Sequence, residues 1–287
     1  MKVHGRFKLF TTLAIIFFHV LAGIAVWQMF TIGFSRAAWL VVISIYFIRM
    51  IGITVGYHRL LAHASYRPRP LFAKIVLAFA AAALQGPGAW WSKVHIQHHA
   101  RTDVPGDPHR PSEYQGGLIG FFWAHVGWLF YHSQVPAGYF EPPWTAEKKK
   151  LLEWQSRWYW VFALTGILLP ALTGWRSLLL GAFGLVVGWN ITWSVNSIGH
   201  VMGDHAIGWS GDTLESHRAR NFPLQCLWNV LALISGGELR HADHHAFQGS
   251  ARLGKRWYEF DPGWWVIWLA QRLNWVSEVK RPDLKTM

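Results

Sequence analysis

Leu71-Phe72-Ala73-Lys74-Ile75-Val76-Leu77-Ala78-Phe79-Ala80-Ala81-Ala82-Ala83-Leu84 decides how this chain is arranged. The run is densely apolar, yet at about 14 residues it falls short of the roughly 20 that a spanning helix needs. His58 and His63 precede it, and His95, His98 and His99 follow it. A full crossing would put those two sets on opposite faces of a membrane. A re-entrant or interfacial segment leaves them on one face, where they can act together.

The second set belongs to Lys93-Val94-His95-Ile96-Gln97-His98-His99, an H-x-x-H-H box. Its near twin is His241-Ala242-Asp243-His244-His245, inside Gly237 to His245. On an α-helix, positions three and four on from a starting residue lie about 60° to one side of it and about 40° to the other. Each triad is therefore expected to aim three imidazoles at a common centre. His58 and His63 are five apart, about 140° around an α-helix, which predicts that they serve different centres. His4, His19, His125, His132, His205 and His217 read as ordinary interfacial residues, and His109 as a supporting one.

Hydrophobic residues make up 52% of the 287 and charged residues 15%, against about 25% charged for a soluble domain. Trp, which gathers where one side is apolar and the other wet, occurs 20 times. Leu9 to Gly33 and Ala37 to Gly56 read as one transmembrane hairpin; Trp158 to Thr173 and Ser177 to Gly199 read as a second. Lys and Arg number three in the N-terminal tail, eleven in 57–157 and ten after Gly199, but one in each hairpin turn (Arg36, Arg176). The positive-inside rule puts the tail, 57–157 and 200–287 in the cytoplasm. Gly117 to Tyr131 and Phe222 to Gly236 read as interfacial helices, and Ala137 to Lys150 as a surface loop. The expected architecture is one all-α integral membrane domain, 1–287, with four transmembrane helices in two hairpins. A cytoplasmic helical cap holds a di-metal site, and no sheet is expected.

The single cysteine, Cys226, excludes an intramolecular disulfide and a cysteine-based metal site, while 16 histidines point to imidazole ligands. Eight box histidines exceed what one zinc takes, and the H-E-x-x-H protease pattern is missing. They suit two metals of higher coordination number, iron included. Bis-imidazole haem needs two ligands and leaves the triads unexplained. The formal charge of +12 comes without a nucleic-acid motif, so lipid headgroups and an acidic electron carrier are the expected partners, and nucleic acid is not.

From about Ile51 to Trp275 the chain resembles the membrane-bound fatty acyl desaturases of the Δ9 acyl-CoA/acyl-lipid type. The resemblance is carried by Gly52-Ile53-Thr54-Val55-Gly56-Tyr57-His58-Arg59-Leu60 with His63, the second box with Asp107-Pro108-His109, Trp123-Ala124-His125-Val126-Gly127-Trp128, and the third box. Asn196-Ser197-Ile198-Gly199-His200-Val201-Met202-Gly203 matches a further family motif. The resemblance implies two iron ions held by His58, His63, His95, His98, His99, His200, His241, His244 and His245, with Asn196 acting through water. Asp107 and Asp243 are candidates to orient imidazoles.

It further implies insertion of a cis double bond into a saturated acyl chain, using O2 and two electrons from a separate ferredoxin, rubredoxin or cytochrome b5-type donor. An apolar tunnel is implied too, and Tyr46 and Met50, one helical turn apart before His58, are candidates to close its far end. The segments Ala83 to Trp91 and Arg110 to Gly116 lack the basic, asparagine-bearing surface of animal acyl-CoA members, which leaves acyl-CoA, acyl-lipid and carrier-bound chains in play. The active site is expected on the cytoplasmic side of a bacterial inner membrane or of the endoplasmic reticulum. A membrane hydroxylase or oxygenase on the same ligands, and a non-catalytic metal- or haem-binding protein, are the rival readings.

Overall fold

A computed structural model describes residues 4–114, 117–133, 144–200, 222–254 and 256–281. The chain forms α1 (Leu9–Thr31), α2 (Arg36–Ile51), a π-helix (Gly52–Ala62) that continues α2, α3 (Pro70–Ala81) and α4 (Gly88–Arg101). It goes on as α5 (Gly117–His125), α6 (Ala146–Leu168), α7 (Ser177–Ile198), α8 (Phe222–Ile234), α9 (His241–Ala246) and α10 (Pro262–Arg272). Part of the loop expected over Ala137 to Lys150 lies outside the described residues, as do His205, His217 and Val201 to Gly203.

Among the described residues, three helices are long and apolar enough to cross a membrane: Leu9–Thr31, Arg36–Ala62 and Ser177–Ile198. Trp158 to Thr173, the expected remaining span, differs. It is the second part of α6, whose opening turns carry Glu147, Lys148, Lys149, Lys150, Glu153 and Arg157. The helix then tightens into a 3-10 turn, Leu169–Thr173, around Pro170. The fold is also not free of sheet. His4–Phe7 pairs antiparallel with Tyr131–Ser133, and Arg67–Pro68 with Val276–Ser277. These short ladders pin the start of the chain to the segment after α5 and its C-terminal part to the segment after the first histidine pair.

α1 turns Phe10, Phe17 and Phe30 outward and buries Ile15, Ala22 and Ala25. Its inner face meets α7, where Phe18 contacts Trp189 edge-on at 5.5 Å. At the start of α2, Ser35 Oγ accepts the Ala38 N–H at 3.1 Å, satisfying one of the first-turn donors and setting the hairpin turn.

α3 has 12 residues, a length of about 18 Å against a hydrocarbon core of about 30 Å. It is held by close backbone contact with the π-helix. A Cβ on Gly52 would fall 2.1 Å from Ala80 N, and one on Gly56 2.9 Å from Val76 O. The small-x-x-x-small spacing lets two helices approach where any side chain would push them apart. The buried Arg49 adds a clamp, donating from Nε to Ala82 O and from Nη2 to Gly166 O, each at 2.9 Å. α3 thus turns back, and the histidines on either side of it meet.

Candidate metal centre

Among the described residues, nine imidazoles from four stretches of chain converge in two groups. His58, His63, His95, His99 and His244 form one, and His98, His200, His241 and His245 the other; within each, the ligand atoms lie within 4.8 Å of one another. Each H-x-x-H-H box is therefore split, contrary to the expectation of one centre per triad. The second box sends His95 and His99 one way and His98 the other, and the third sends His244 to the five-membered group and His241 and His245 to the four-membered one. The reason is angular: residues three and four beyond the first histidine diverge by about 100°, so two centres side by side share each helix face.

His58 and His63 differ from expectation in the opposite sense, since they share a group. Their backbone is a π-helix, and His63 N–H donates to His58 O at 3.1 Å, a bond spanning five residues. That winding returns the fifth residue to the face of the first.

The inner nitrogens face one another. His58 Nε2 is 3.0 Å from His244 Nε2, which is 2.8 Å from His99 Nε2, itself 3.0 Å from His95 Nε2; His95 is 2.8 Å from His63. In the other group His200 to His241 is 2.9 Å, His241 to His245 3.0 Å and His245 to His98 3.2 Å. A neutral imidazole has one N–H and one lone pair, so a nitrogen aimed at two others is suited to a shared cation. Burial first, and neighbouring imidazoles next, push His63, His95, His98, His99, His241, His244 and His245 well below the ordinary imidazole value. They stay neutral, as ligation requires.

Carboxylates stand against outer nitrogens. His98 Nδ1 is 3.0 Å from Asp107 Oδ2, His200 Nδ1 is 3.1 Å from Asp103 Oδ2, and His58 Nδ1 is 2.5 Å from Glu238 Oε2. Such contacts fix which nitrogen carries the proton and leave Nε2 free to bind. Asp107 also accepts the backbone N–H groups of Asp103 (2.9 Å) and His109 (3.1 Å), and burial pushes its carboxyl up to about 7. Asp243 is buried on α9 beside the third-box histidines. Asp103 and Glu238 were not singled out from the sequence; Glu238, three residues before the third box, and Asp103, four after His99, were the available signals. His125, read as an ordinary interfacial residue, bonds Ser197 Oγ at 2.9 Å and Asn190 Oδ1 at 3.1 Å.

Beside the imidazoles lies a cavity of about 970 Å³ whose lining includes His95, His109, Asn196 and, among the described residues, six tryptophans: Trp90, Trp91, Trp128, Trp160, Trp189 and Trp193. Tyr46 and Met50 line a separate narrow cleft that shares Gln85, Trp189 and Thr192 with it. Gln85 Nε2 donates to Thr192 Oγ1 at 3.0 Å along this shared wall.

A largely helical protein with apolar helices of membrane length, two all-histidine groups able to hold metal and an aromatic-lined cavity beside them is the class defined here. The sequence matches the fatty acid desaturase family over residues 34–275, and the chain belongs to that family. It is 33% identical over 258 residues to an sn-1 stearoyl-lipid 9-desaturase of Anabaena variabilis, covering 88% of each chain. It is 32% identical over 274 residues to an sn-2 palmitoyl-lipid 9-desaturase of Nostoc sp. (strain 36), covering 92% of this chain and 88% of that one. It is also 32% identical over 260 residues to a hex-5-enoyl-(acyl-carrier protein) acetylenase of Moorena producens (strain JHB), covering 85% and 77%.

Proposed function

We propose that this protein inserts a cis double bond, at the Δ9 position, into a saturated acyl chain at a di-iron centre. The observation that carries the reading is the convergence of nine imidazoles in groups of five and four beside an aromatic-lined cavity. The five-histidine group would hold one iron and the four-histidine group the other, with Asn196, which lines the cavity, as a further candidate acting through water. Iron there supplies the oxidising power, drawn from O2 and two external electrons, that an unactivated C–H bond demands.

The chain's own residues do the rest. Glu238, Asp107 and Asp103 hold the imidazoles in one orientation and tautomer. The tryptophan walls keep water from the reacting carbons, and the cavity's shape presents one stretch of chain to the metals. Tyr46 and Met50 limit the length of chain accepted past Trp189.

The whole chain acts as one domain, and the second half of α6 serves as a further span beside the three long apolar helices. The histidines then lie with the N-terminal tail on the cytoplasmic side, where a separate acidic electron donor meets a basic surface. A hydroxylase on the same ligands differs only in its product. A haem-binding role is disfavoured, because two axial imidazoles per haem do not call for groups of five and four.

Expression in a host lacking unsaturated fatty acids tests the reading, with mass spectrometry of extracted lipids. Loss of two hydrogens at one position supports it; a gain of oxygen identifies a hydroxylase; an unchanged lipid profile with metal bound removes the catalytic reading.

A further inference from the structure

We infer that the cavity takes its acyl chain sideways from the bilayer while that chain is still part of a phospholipid, with Lys8 meeting the lipid phosphate. This deepens the desaturase reading and rests on it. Among the described residues that line the cavity, Lys8 alone carries a permanent charge. It is half-buried at the N-cap of α1, with Nζ 5.4 Å over the Trp90 ring. Its backbone is fixed by donation of the N–H to Phe130 O at 2.7 Å, beside the β1–β3 ladder formed by His4–Phe7 and Tyr131–Ser133. Burial lowers the Lys8 pKa, and no carboxylate stands within ion-pair distance among the described residues. An ammonium drawn partly out of water without a counter-charge is costly, and an anion beside it relieves that cost.

The surroundings of Lys8 say from where the anion comes. The neighbouring lining residues Leu9, Phe10 and Trp160 are 62%, 79% and 60% exposed. They belong to α1 and to the apolar half of α6, so this side of the cavity opens between apolar surfaces rather than through a polar mouth. Lys8 immediately precedes the first apolar turn of α1, the level at which phosphates of a bilayer stand if α1 spans it. A chain entering here, headgroup at Lys8, reaches a cavity that His95, Asn196, Trp189 and Thr192 also line. A soluble thioester has no need of an apolar side entrance.

The test is a binding measurement on the purified, metal-free full chain in detergent, which needs no turnover. Protein is titrated with dibromostearoyl-phosphatidylglycerol, with dibromostearoyl-CoA and, as a competitor, with inorganic phosphate. The readout is the quenching of fluorescence that is absent from Trp90→Phe. The brominated lipid should quench saturably and at lower concentration than the CoA ester. Lys8→Gln should raise the half-saturating concentration about tenfold, the size of one charge-assisted contact, and Lys8→Arg should restore it. Unchanged lipid binding in Lys8→Gln, tighter quenching by the CoA ester, or full competition by free phosphate each overturns the inference. Lys8-dependent lipid binding in a protein that desaturates nothing would instead remove the desaturase reading alone.

Discussion

Glu238 bridges two buried partners, with Oε2 2.5 Å from Nδ1 of His58 and Oε1 3.6 Å from the guanidinium of Arg59. Arg59 in turn donates to Asp261 Oδ1 at 2.8 Å, and Asp261 caps α10 by accepting the Trp264 N–H at 2.9 Å. A histidine of the five-membered group is thereby anchored to the chain beyond the third box.

Glu238→Gln removes the negative charge while keeping the side chain's shape. Supporting carboxylates of this kind are worth about 10–100-fold in metal affinity. Cobalt(II) titration followed by visible absorbance should show one site weakened by that factor and the other, held by His98, His200, His241 and His245, unchanged. Equal weakening of both sites would contradict the assignment of Glu238 to one group.

Gly237 has φ of 100°, and a Cβ there would fall 2.5 Å from Asp261 Oδ1. Gly237→Ala combines a backbone conformation costing about 1–3 kcal/mol with a clash against the α10 cap. It should lower thermal stability in detergent and reduce metal content together. Gly249→Ala, where an added Cβ meets nothing within 4 Å, should stay within about 0.5 kcal/mol of the parent.

Seven imidazoles with depressed pKa values set the acid limit of the metal-free protein. The unfolded chain binds their protons at about pH 6.5 and the folded chain only well below it, so stability falls as pH drops from about 6.5. Asp107 acts in the opposite sense. Its folded value, about 7, exceeds the ordinary 3.8, so its contribution is full below 3.8 and lost as pH rises through about 7. Seven groups outweigh one: thermal unfolding of the metal-free protein should show steeply falling stability below about pH 6.5, and bound metal should resist that fall. A flat profile between pH 7 and 5 would contradict neutral, buried imidazoles.

Tyr46→Ala combined with Met50→Ala enlarges the cleft beyond Trp189 and Thr192. Chain-length analysis of the products should shift toward longer acyl substrates. An unchanged profile would place the end of the usable cavity at Trp189 instead.

The sequence carried much of this arrangement, because membrane-length apolar runs and histidine triads are local patterns. Leu71 to Leu84 was readable as an apolar run of about 14 residues, and α3, Pro70–Ala81, has 12. The sharing of His58 and His63 was not readable, since it depends on a π-helix that α-helical angles misplace. The split of each triad was hidden for a related reason: spacing gives directions about one axis and not how many centres lie opposite. Glu238 and Asp103 escaped notice because a lone carboxylate near a box has no periodicity to mark it. The paired strands were missed because segments such as Arg67–Pro68 and Val276–Ser277 are too short to show alternation.

The most direct test counts iron per chain by elemental analysis in the purified protein, in His63→Ala and in His241→Ala. The parent should carry two irons. His63→Ala should keep the one held with His98, His200, His241 and His245, and His241→Ala the one held with His58, His63, His95, His99 and His244. A single iron in the parent, or loss of the same iron in both variants, would contradict two separately built histidine groups.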